Sequence, residues 1–342
     1  MRVEEFDYQL PADRIAVRPP AVRGQAKLLV LDKTSGEIAD RKYQDLADIV
    51  QPGDVVILNN TKVIKARIIA KLADGRVREL ILIEQHGKSD DWHTHRVLYR
   101  GKLRVGDWLA VGQNKVEVVA IEDSGVAQVR SKNDLLELAQ KYGEVPLPPY
   151  IKREATSQDV ARYQTEFAQA TGSVAAPTAS LNMTKELLAR LASKGVIVCE
   201  LTLHVGLGTF LPIRSDSLSG HHMHSEWYEI PKPTITKIQK AKADGRRVVA
   251  LGTTVARTLE FAAKQILYGQ PTDLSGEADI FIYPGYKFQV VDVLLTNFHA
   301  PRSTVLMLAA AFAGRGNLLN AYQYALSHDY KFLSYGDSML IL

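Results

Sequence analysis

The sequence predicts an α/β main domain that is interrupted by a small all-β domain, an antiparallel barrel. Between residues 66 and 130, short strand-like runs follow one another with turn residues between them and no helical pattern, as in small barrels. On either side, apolar strand and helix patterns alternate, which is typical of an α/β sheet. We therefore expect residues 1–65 and 151–342 to form one discontinuous α/β domain, with residues 66–150 inserted as the barrel.

The composition of the chain limits its class. With 342 residues, of which 46% are hydrophobic, the chain can bury a large core divided between two domains. Cys199 is the only cysteine, which excludes an internal disulfide and a thiolate metal cluster. No apolar run approaches the roughly 18 residues of a membrane-spanning helix, and the first residues lack the apolar region of a signal sequence. We expect a cytoplasmic monomer without a membrane partner; the net charge of +4 permits a nucleic-acid partner without requiring one.

The elements outside the series of barrel strands follow from apolar periodicity and turn residues. Strands are predicted at residues 27–31, 55–58, 196–204, 247–251 and 280–283, and helices at 43–50, 133–142, 184–194, 234–243 and 256–268. Thr184 is placed to cap its helix and Gly195 to end it. The prolines between residues 146 and 149 fix φ and exclude a helix or a central strand. They predict the connection from the barrel back to the main domain.

Residues 294–314 form the most informative strand–turn–helix pattern of the chain. An apolar strand ends at Asn297 and His299, the chain turns through Arg302, and Ser303 is placed to cap an apolar helix over residues 304–312. Ligands of open α/β sheets bind at the carboxyl ends of the strands. An amide, an imidazole and a guanidinium in one such turn therefore predict a functional site. The alternative is a turn whose polar groups only cap the helix.

Four other loops have a composition that suits ligand binding. They are Asn59–Asn60–Thr61, His204 with Gly206 and Gly208, Gly252–Thr253–Thr254 before a helix, and the small-residue loop 175–182. Glycines let the backbone approach a ligand closely, a helix N-terminus favours anionic groups or ribose hydroxyls, and small side chains leave room for a flat ligand. Hairpin formation, helix capping and tight packing are the structural alternatives for these loops.

The segment from His221 to Glu226 is the part of the chain richest in histidine. His221, His222 and His224 suggest a metal site, but their spacing is not that of a metalloprotease helix and no cysteine assists them. A histidine and a carboxylate that act as acid and base, or that hydrogen-bond a substrate, fit the segment at least as well.

The predicted barrel has a basic excess. Residues 65–104 contain twice as many Lys and Arg as Asp and Glu, with Trp92, Tyr99 and Trp108 nearby. Such a pattern is typical of a nucleic-acid surface, and equally of a barrel face exposed to solvent.

Several motifs together resemble the S-adenosylmethionine:tRNA ribosyltransferase-isomerase family of queuosine biosynthesis. The motifs are FDYQLP, IAVRPP, VVILNNTKVIKAR, PLPPYI, RYQTEFA, AAPTA, HVGLGTF, MHSEWYEI, TNFHAPRST and FLSYGDSMLI. They extend from one end of the chain to the other, and jointly they are highly specific. The resemblance implies an α/β domain with an inserted β-barrel, in agreement with the predicted boundaries.

The resemblance also implies a reaction. The ribosyl part of S-adenosylmethionine is transferred and isomerised onto 7-aminomethyl-7-deazaguanine at the wobble position of a tRNA, giving epoxyqueuosine and releasing adenine and methionine. Such chemistry needs a base for a carbon acid beside a sulfonium, assistance for the departure of adenine, and donors for a developing alkoxide. It implies S-adenosylmethionine as a substrate, tRNA as the partner, and neither a metal nor a prosthetic group.

The resemblance and the loops described above give three sets of candidate residues. The candidate catalytic residues are His204, His224, Glu226, His299 and Asp337. The candidate substrate-binding residues are Asn59, Asn60, Thr61, Thr178, Asn182, Gly206, Gly208, Thr209, Thr253, Thr254, Asn297, Arg302 and Tyr335. Since phosphates are usually held by Lys and Arg, the candidate tRNA-binding residues are Lys71, Arg76, Arg78, Arg100, Lys102 and Arg104.

Some positions depart from the family pattern. Ser180, Asn182 and Met183 stand where the family has Gly, His and Phe, and Val255 stands where it has Ser. Asn182 can hydrogen-bond but cannot act as a base near neutral pH. A catalytically altered tRNA- or nucleotide-binding paralogue is therefore one alternative, and a metal-dependent hydrolase built on the histidine-rich segment is another.

Overall fold

The computed structural model of the chain describes residues 1–87, 91–122, 125–206, 208, 213, 218–221 and 223–342. Its strands outside the barrel are β1 (Lys27–Leu31), β2 (Ile38–Lys42), β3 (Val55–Asn59), β4 (Thr61–Val63), β11 (Ala170–Ser173), β12 (Ile197–Leu203), β13 (Glu226–Ile230), β14 (Val248–Leu251), β15 (Leu274–Ala278), β16 (Val293–Asn297) and β17 (Ser338–Ile341). The α-helices are α1 (Leu46–Ile49), α2 (Leu135–Tyr142), α3 (Ser157–Arg162), α4 (Lys185–Ser193), α5 (Lys232–Ala243), α6 (Thr253–Phe261), α7 (Ala263–Tyr268), α8 (Thr304–Ala313) and α9 (Arg315–Ser327).

A nine-stranded mixed sheet unites the two ends of the chain. Its strand order is β15-β13-β12-β3-β14-β16-β17-β1-β2. The early strand β3 lies between β12 and β14 and is parallel to both. Segments before and after the barrel therefore share one sheet, and both contribute to each of the two hydrophobic clusters that pack against it.

The centre of this sheet is buried on both faces. β3, β14 and β16 are buried along their whole length, as expected of parallel strands that are covered by helices on both sides. α8 is apolar on nearly every face and almost fully buried. Its N-cap is Ser303, whose hydroxyl accepts a hydrogen bond from the Leu306 N–H at 3.3 Å. The predicted cap and helix are both confirmed.

The parallel strands β12, β3, β14 and β16 bring their carboxyl ends to one edge of the sheet. The loops that follow them start at His204, Asn60, Gly252 and Phe298. β13 and β17 run antiparallel to β12 and β16, so their first residues lie at the same edge. This edge is called the carboxyl edge below.

The second sheet is a closed barrel of six antiparallel strands. They are β5 (Arg67–Leu72), β6 (Val77–Leu82), β7 (Thr94–Arg100), β8 (Trp108–Val111), β9 (Asn114–Ile121) and β10 (Val126–Ser131). Buried residues alternate with exposed ones along β5 and β8, because successive side chains point to opposite faces of a strand. The strand-like runs predicted between residues 66 and 130 form these six strands, and the predicted fold class is confirmed. The division of the chain at residues 65/66 and 150/151 stays a prediction.

Three predicted elements of the main domain need correction. The apolar residues 280–283 do not form a strand; the place beside β13 is taken by Leu274–Ala278, in register from Ile230↔Leu274 to Glu226↔Ala278. The helix predicted at 256–268 starts three residues earlier and divides into α6 and α7 at Ala262. The helix predicted at 43–50 is a 3₁₀ turn followed by the short α1. The elements β13, β17 and α9 are not among the predicted ones.

Within the described residues, no helix is long and apolar enough to cross a bilayer.

Candidate active site

A pocket lies at the carboxyl edge between the loops that follow β14 and β16. Its lining residues are Tyr150, Ala176, Pro177, Thr178, Ala179, Val205, Gly252, Thr253, Thr254, Thr296, Asn297, Phe298, His299, Ala300, Ser303, Val305, Leu333 and Ser334. None of them is an Asp, Glu, Lys or Arg. We call this site the amide pocket, after the Asn297 side chain that lines it.

Neutral hydrogen-bonding groups give the amide pocket its polar character. The Thr178 hydroxyl donates to Oδ1 of Asn297 at 2.8 Å, and Nδ2 of Asn297 donates to the Asp337 carbonyl at 3.3 Å. Nε2 of His299 is 2.7 Å from the Thr296 hydroxyl. Desolvation in the pocket lowers the pKa of His299 to about 3, so its imidazole is uncharged near neutral pH. The pocket therefore suits a flat, uncharged, hydrogen-bonding group.

A narrower pocket adjoins the amide pocket and shares Thr253, Thr254 and Val305 with it. It is also lined by Met223, Glu226, Arg257, Ile280, Phe281, Ile282, Thr304 and Leu308. We call it the ion-pair pocket, because the carboxylate of Glu226 lies 2.7 Å from Nη2 of Arg257. Burial alone would raise the pKa of Glu226, but the Arg257 guanidinium and His224 outweigh it and lower the pKa to about 2. The pair is therefore ionised in the folded protein.

His224 lies beside Glu226 and faces a glycine of the loop after β12. Its Nε2 is 3.5 Å from Oε1 of Glu226. A Cβ atom added at Gly208 would come within 2.7 Å of the His224 ring, so this position has no space for a larger residue. The backbone N–H of Gly206 donates to the same carboxylate at 2.9 Å. Glu226 thus connects the histidine to the glycine loop.

His204 is held in a buried and neutral state. Its Nδ1 is 2.8 Å from the Thr61 hydroxyl, and its ring stacks on Trp227 with centroids 5.3 Å apart. Burial, assisted by the nearby positive charge of His86, lowers the pKa of His204 to about 4. Next to it, Glu84 and Glu277 outweigh burial and raise the pKa of His86 to about 9. The two histidines therefore carry different charges near neutral pH.

A wide cleft, the barrel cleft, runs from the barrel to Gly208. It is lined by Arg67, Glu79, Ile81, Leu98, Tyr99, Arg100, Gly125, Val145, Pro146, Leu147, Pro148, Pro149, Ile151, Lys152, Arg153, Glu154, Ala155 and Gly208. The predicted proline connector thus forms one wall and the barrel strands β6 and β7 the other. The cleft opens toward the loop that faces His224.

Several predicted substrate-binding residues instead connect parts of the fold. Asn59 and Asn60 join β3 to β12 through Leu203 and Glu200. Asn182 accepts a hydrogen bond from the Gly24 N–H at 3.4 Å. The Tyr335 hydroxyl donates to Asp159 at 2.7 Å, and the exposed Arg302 pairs with Asp7. None of these five lines either of the two pockets. Thr209 lies outside the described residues.

The contacts of the Asp337 carboxylate indicate a structural role. One carboxylate oxygen accepts from the Lys27 N–H at 2.7 Å, and the other accepts from the Lys331 N–H at 2.7 Å. Burial raises the pKa of Asp337 in spite of these hydrogen bonds. Its carboxylate ties the start of β1 to the C-terminal segment, and only its backbone carbonyl reaches the amide pocket residue Asn297.

The predicted tRNA-binding cations differ in their surroundings. Arg78 is buried and donates to the Lys102 carbonyl at 2.9 Å, so its guanidinium is not available on the surface. Arg76 pairs with Asp74 at 2.6 Å. Lys71, Lys102 and Arg104 are exposed. Of the six, Arg100 alone lines the barrel cleft.

Two parts of the site are not among the residues predicted from the sequence. Arg257 lies in the middle of α6, whose sequence TTVARTLEF mixes polar and apolar residues. Nothing in that pattern distinguishes a buried arginine from one on the surface of a helix. Tyr150 and Ser334, which both line the amide pocket, hydrogen-bond to each other. They are 184 positions apart, so only the folded chain shows that they meet.

The histidine-rich segment does not gather metal ligands within the described part of the chain. There, no three His, Cys, Asp or Glu side chains lie close enough to hold a metal ion. His221 packs edge-on against Phe281, and His222 lies outside the described residues.

Comparisons with known proteins agree on one family. Residues 3–341 match the family model described as queuosine biosynthesis protein. The chain is 55% identical to the S-adenosylmethionine:tRNA ribosyltransferase-isomerase of Chlorobaculum parvum and 42% identical to that of Francisella tularensis subsp. novicida, each over 100% of both chains. The crystal structure of the S-adenosylmethionine tRNA ribosyltransferase of Thermotoga maritima aligns with a TM-score of 0.58 and 32% identity, over 99% of this chain and 100% of that one.

Proposed function

Because the chain belongs to the queuosine biosynthesis protein family, we propose that it is an S-adenosylmethionine:tRNA ribosyltransferase-isomerase. It transfers the ribosyl group of S-adenosylmethionine to a tRNA and isomerises it. The acceptor is 7-aminomethyl-7-deazaguanine at the wobble position, and adenine and methionine leave. The observation that carries the proposal is the full-length match to relatives of this name together with two adjoining pockets at the carboxyl edge. Neither a metal-dependent hydrolase nor an inactive paralogue is favoured by this membership.

His224 is the best candidate for the general base. The reaction needs a group that removes a proton from a carbon beside the sulfonium, and a carboxylate next to an imidazole stabilises the imidazolium that results. Glu226 lies 3.5 Å from His224 and supplies that carboxylate. His204 and His299 are held neutral with a depressed pKa, so they suit hydrogen bonding better than proton removal.

The amide pocket suits the adenine of the donor. Asn297 and Thr178 supply an amide and a hydroxyl, and Ala176, Pro177 and Ala179 leave a flat apolar wall. The neutral imidazole of His299 can hydrogen-bond a ring nitrogen as negative charge develops on the leaving adenine. We assign these residues to adenine binding and departure.

The barrel cleft suits the approach of the tRNA. The acceptor base must leave its loop to reach the donor, and unstacked bases are commonly held by aromatic side chains while phosphates contact Lys and Arg. Tyr99, Arg100 and Lys152 line the cleft that ends at Gly208, which faces His224. We assign the inserted barrel, with domain boundaries at 65/66 and 150/151, to tRNA binding.

The direct test is adenine release. Purified protein is incubated with S-adenosylmethionine and tRNA that carries 7-aminomethyl-7-deazaguanine, and free adenine is measured by chromatography; unmodified tRNA is the negative control. We expect adenine only with the modified tRNA. If no adenine forms although both substrates bind, the protein is a binding paralogue and the proposed function is wrong.

A pair of variants tests the role of His224. We expect His224→Gln to lower kcat by about 10²- to 10⁴-fold, the range for loss of a general base. His328→Gln is the matched control, because His328 lies exposed at the end of α9, and it should keep the wild-type rate. Equal rates in both variants would remove His224 from the mechanism.

A further inference from the structure

The two adjoining pockets differ in charge. This difference indicates the orientation in which S-adenosylmethionine, the ribosyl donor, binds across them. The amide pocket contains neutral polar groups, and none of its described lining residues is an Asp, Glu, Lys or Arg. The ion-pair pocket contains the ionised Glu226 and Arg257. S-Adenosylmethionine likewise has an uncharged end, the adenine, and an end that carries both an ammonium and a carboxylate. Its ribose and sulfonium lie between these two ends.

Stability alone does not explain a charged pair at this place. Glu226 is fully buried and Arg257 is 6% exposed. A buried ion pair is often no more stabilising than apolar side chains of the same volume, because both charges lose their hydration. The neighbouring residues Ile280, Ile282 and Leu308 are apolar, so an apolar pair would pack at this position. Binding of a ligand that carries both a negative and a positive group would explain why Glu226 and Arg257 are both charged here.

The hydrogen bonds of Arg257 are incomplete. Nη2 is shared between Glu226 and the carbonyl of Ala278, at 2.7 and 3.0 Å. Nε is buried and has no hydrogen-bond partner among the described residues. An unmade hydrogen bond of a buried charged group is costly. A carboxylate bound in the pocket would accept from this N–H and remove the cost.

We propose that the ion-pair pocket binds the amino-acid end of S-adenosylmethionine, with the carboxylate at Arg257 and the ammonium at Glu226. The methylene groups would contact Met223 and Phe281. Thr253 and Thr254 line both pockets, and Oγ1 of Thr254 is a second buried atom without a partner among the described residues. The ribose hydroxyls would lie against these threonines. The assignment rests on the proposed function, and it fixes the direction of the donor: adenine toward Asn297, methionine toward Arg257.

The assignment has a consequence for the chemistry. With the donor in this direction, its sulfonium lies near Glu226, and the adjacent His224 is the basic group next to the acidic carbon. Binding of the amino-acid end and positioning of the base then depend on one carboxylate. Arg257 is accordingly a substrate-binding residue that also positions Glu226.

The first test uses the wild-type protein and three ligands: S-adenosylmethionine, its decarboxylated form, and 5′-methylthioadenosine, which lacks the amino-acid group. Calorimetry should show that loss of the carboxylate weakens binding by about tenfold or more, as expected for a charge-assisted hydrogen bond in a buried site. Loss of the whole group should weaken binding further. Equal affinity for all three ligands would overturn the proposal.

The second test removes the pair without leaving an unpaired buried charge. In the double variant Glu226→Gln/Arg257→Met, the three ligands should bind with affinities within about threefold of one another. Arg247→Lys is the control: this arginine pairs with Asp54 at the opposite edge of the sheet, and its variant should discriminate among the ligands as the wild type does. A double variant that still prefers the carboxylate would overturn the proposal. If it does not fold, the wild-type ligand series decides.

The same experiments separate this inference from the proposed function. If the wild-type protein releases adenine but binds all three ligands with equal affinity, only the assignment of the ion-pair pocket is wrong. Wild-type protein that does not bind S-adenosylmethionine at all contradicts both.

Discussion

Two arginine–carboxylate pairs with buried carboxylates lie at opposite edges of the nine-stranded sheet, and they differ in how many of the possible hydrogen bonds are made. At the amino edge, Asp54 accepts from Nε and Nη2 of Arg247 at 3.0 and 2.6 Å. It also accepts from the N–H groups of Arg247 and Gln51. At the carboxyl edge, Arg257 contacts Glu226 through Nη2 and leaves Nε without a partner among the described residues. The first pair completes the fold, whereas the second has hydrogen-bonding capacity left for a ligand.

The difference shows why burial and charge alone do not identify a functional site. Both carboxylates are nearly inaccessible to solvent, and both pairs join elements that are distant in the chain. What separates them is the pocket beside Arg257 and the N–H that points to no acceptor. A complete set of hydrogen bonds indicates a structural pair, and an incomplete set beside a cavity indicates a binding site.

The largest expected effect comes from breaking the Asp54–Arg247 pair, whose hydrogen bonds are the more complete of the two. Asp54→Ala removes the acceptor of a half-buried guanidinium and of two backbone N–H groups, and we expect the free energy of unfolding to fall by about 3–4 kcal/mol. Urea unfolding measures this loss. The rate of adenine release per folded molecule should not change. A comparable loss of stability in Glu226→Gln/Arg257→Met would contradict the comparison, since it would make both pairs structural.

A smaller effect concerns His204, one of the two neutral histidines at the carboxyl edge. His204 has a pKa of about 4 in the folded protein, whereas an unfolded histidine titrates near 6.5. Between these pH values the unfolded chain binds more protons than the folded chain at this site, so acidification favours unfolding. We expect His204 to contribute a decline in the free energy of unfolding from about pH 6.5 to pH 4, by about 3 kcal/mol at most, in addition to any contribution of His299.

The variant His204→Gln isolates this contribution. It removes the titrating group, so the decline over this pH range should be shallower than in the wild type, as measured by urea unfolding at several pH values. His328→Gln, at an exposed position, is the control and should leave the slope unchanged. Parallel profiles for wild type and His204→Gln would show that His204 is not the group responsible.

The smallest expected effect is on tRNA binding by the barrel. Here the comparison is between cations that line the barrel cleft and cations that lie elsewhere on the barrel surface. Replacing Arg100 and Lys152, which line the barrel cleft, by Ala should weaken tRNA binding and reduce the slope of log affinity against log salt by about one per lost phosphate contact. Replacing Lys71 and Arg104, which are exposed but do not line the cleft, should change both quantities less. S-Adenosylmethionine affinity should remain the same in both double variants. If the Lys71/Arg104 variant has the larger effect, tRNA docks on another face of the barrel.

The sequence by itself determined the types of element and many of their ends. Apolar runs separated by glycine turns gave all six barrel strands, because a strand with one buried face shows its period locally. Thr184 and Ser303 cap their helices as predicted, because an N-cap bonds to an N–H only two or three residues away. The polar loops after β3, β12, β14 and β16 were also visible, since each directly follows an apolar strand.

Only the tertiary structure decided which polar groups meet. Which strand pairs with β13 depends on the sheet as a whole, so the apolar residues 280–283 looked like a strand while Leu274–Ala278 became one. Asp337, Arg302 and Arg78 were selected by residue type, but distant backbone groups or Asp7 satisfy their charges. Glu226 and Arg257 meet because an antiparallel strand returns to the carboxyl edge beside α6. The pairing of buried charges depends on distances in space, which local sequence patterns do not encode.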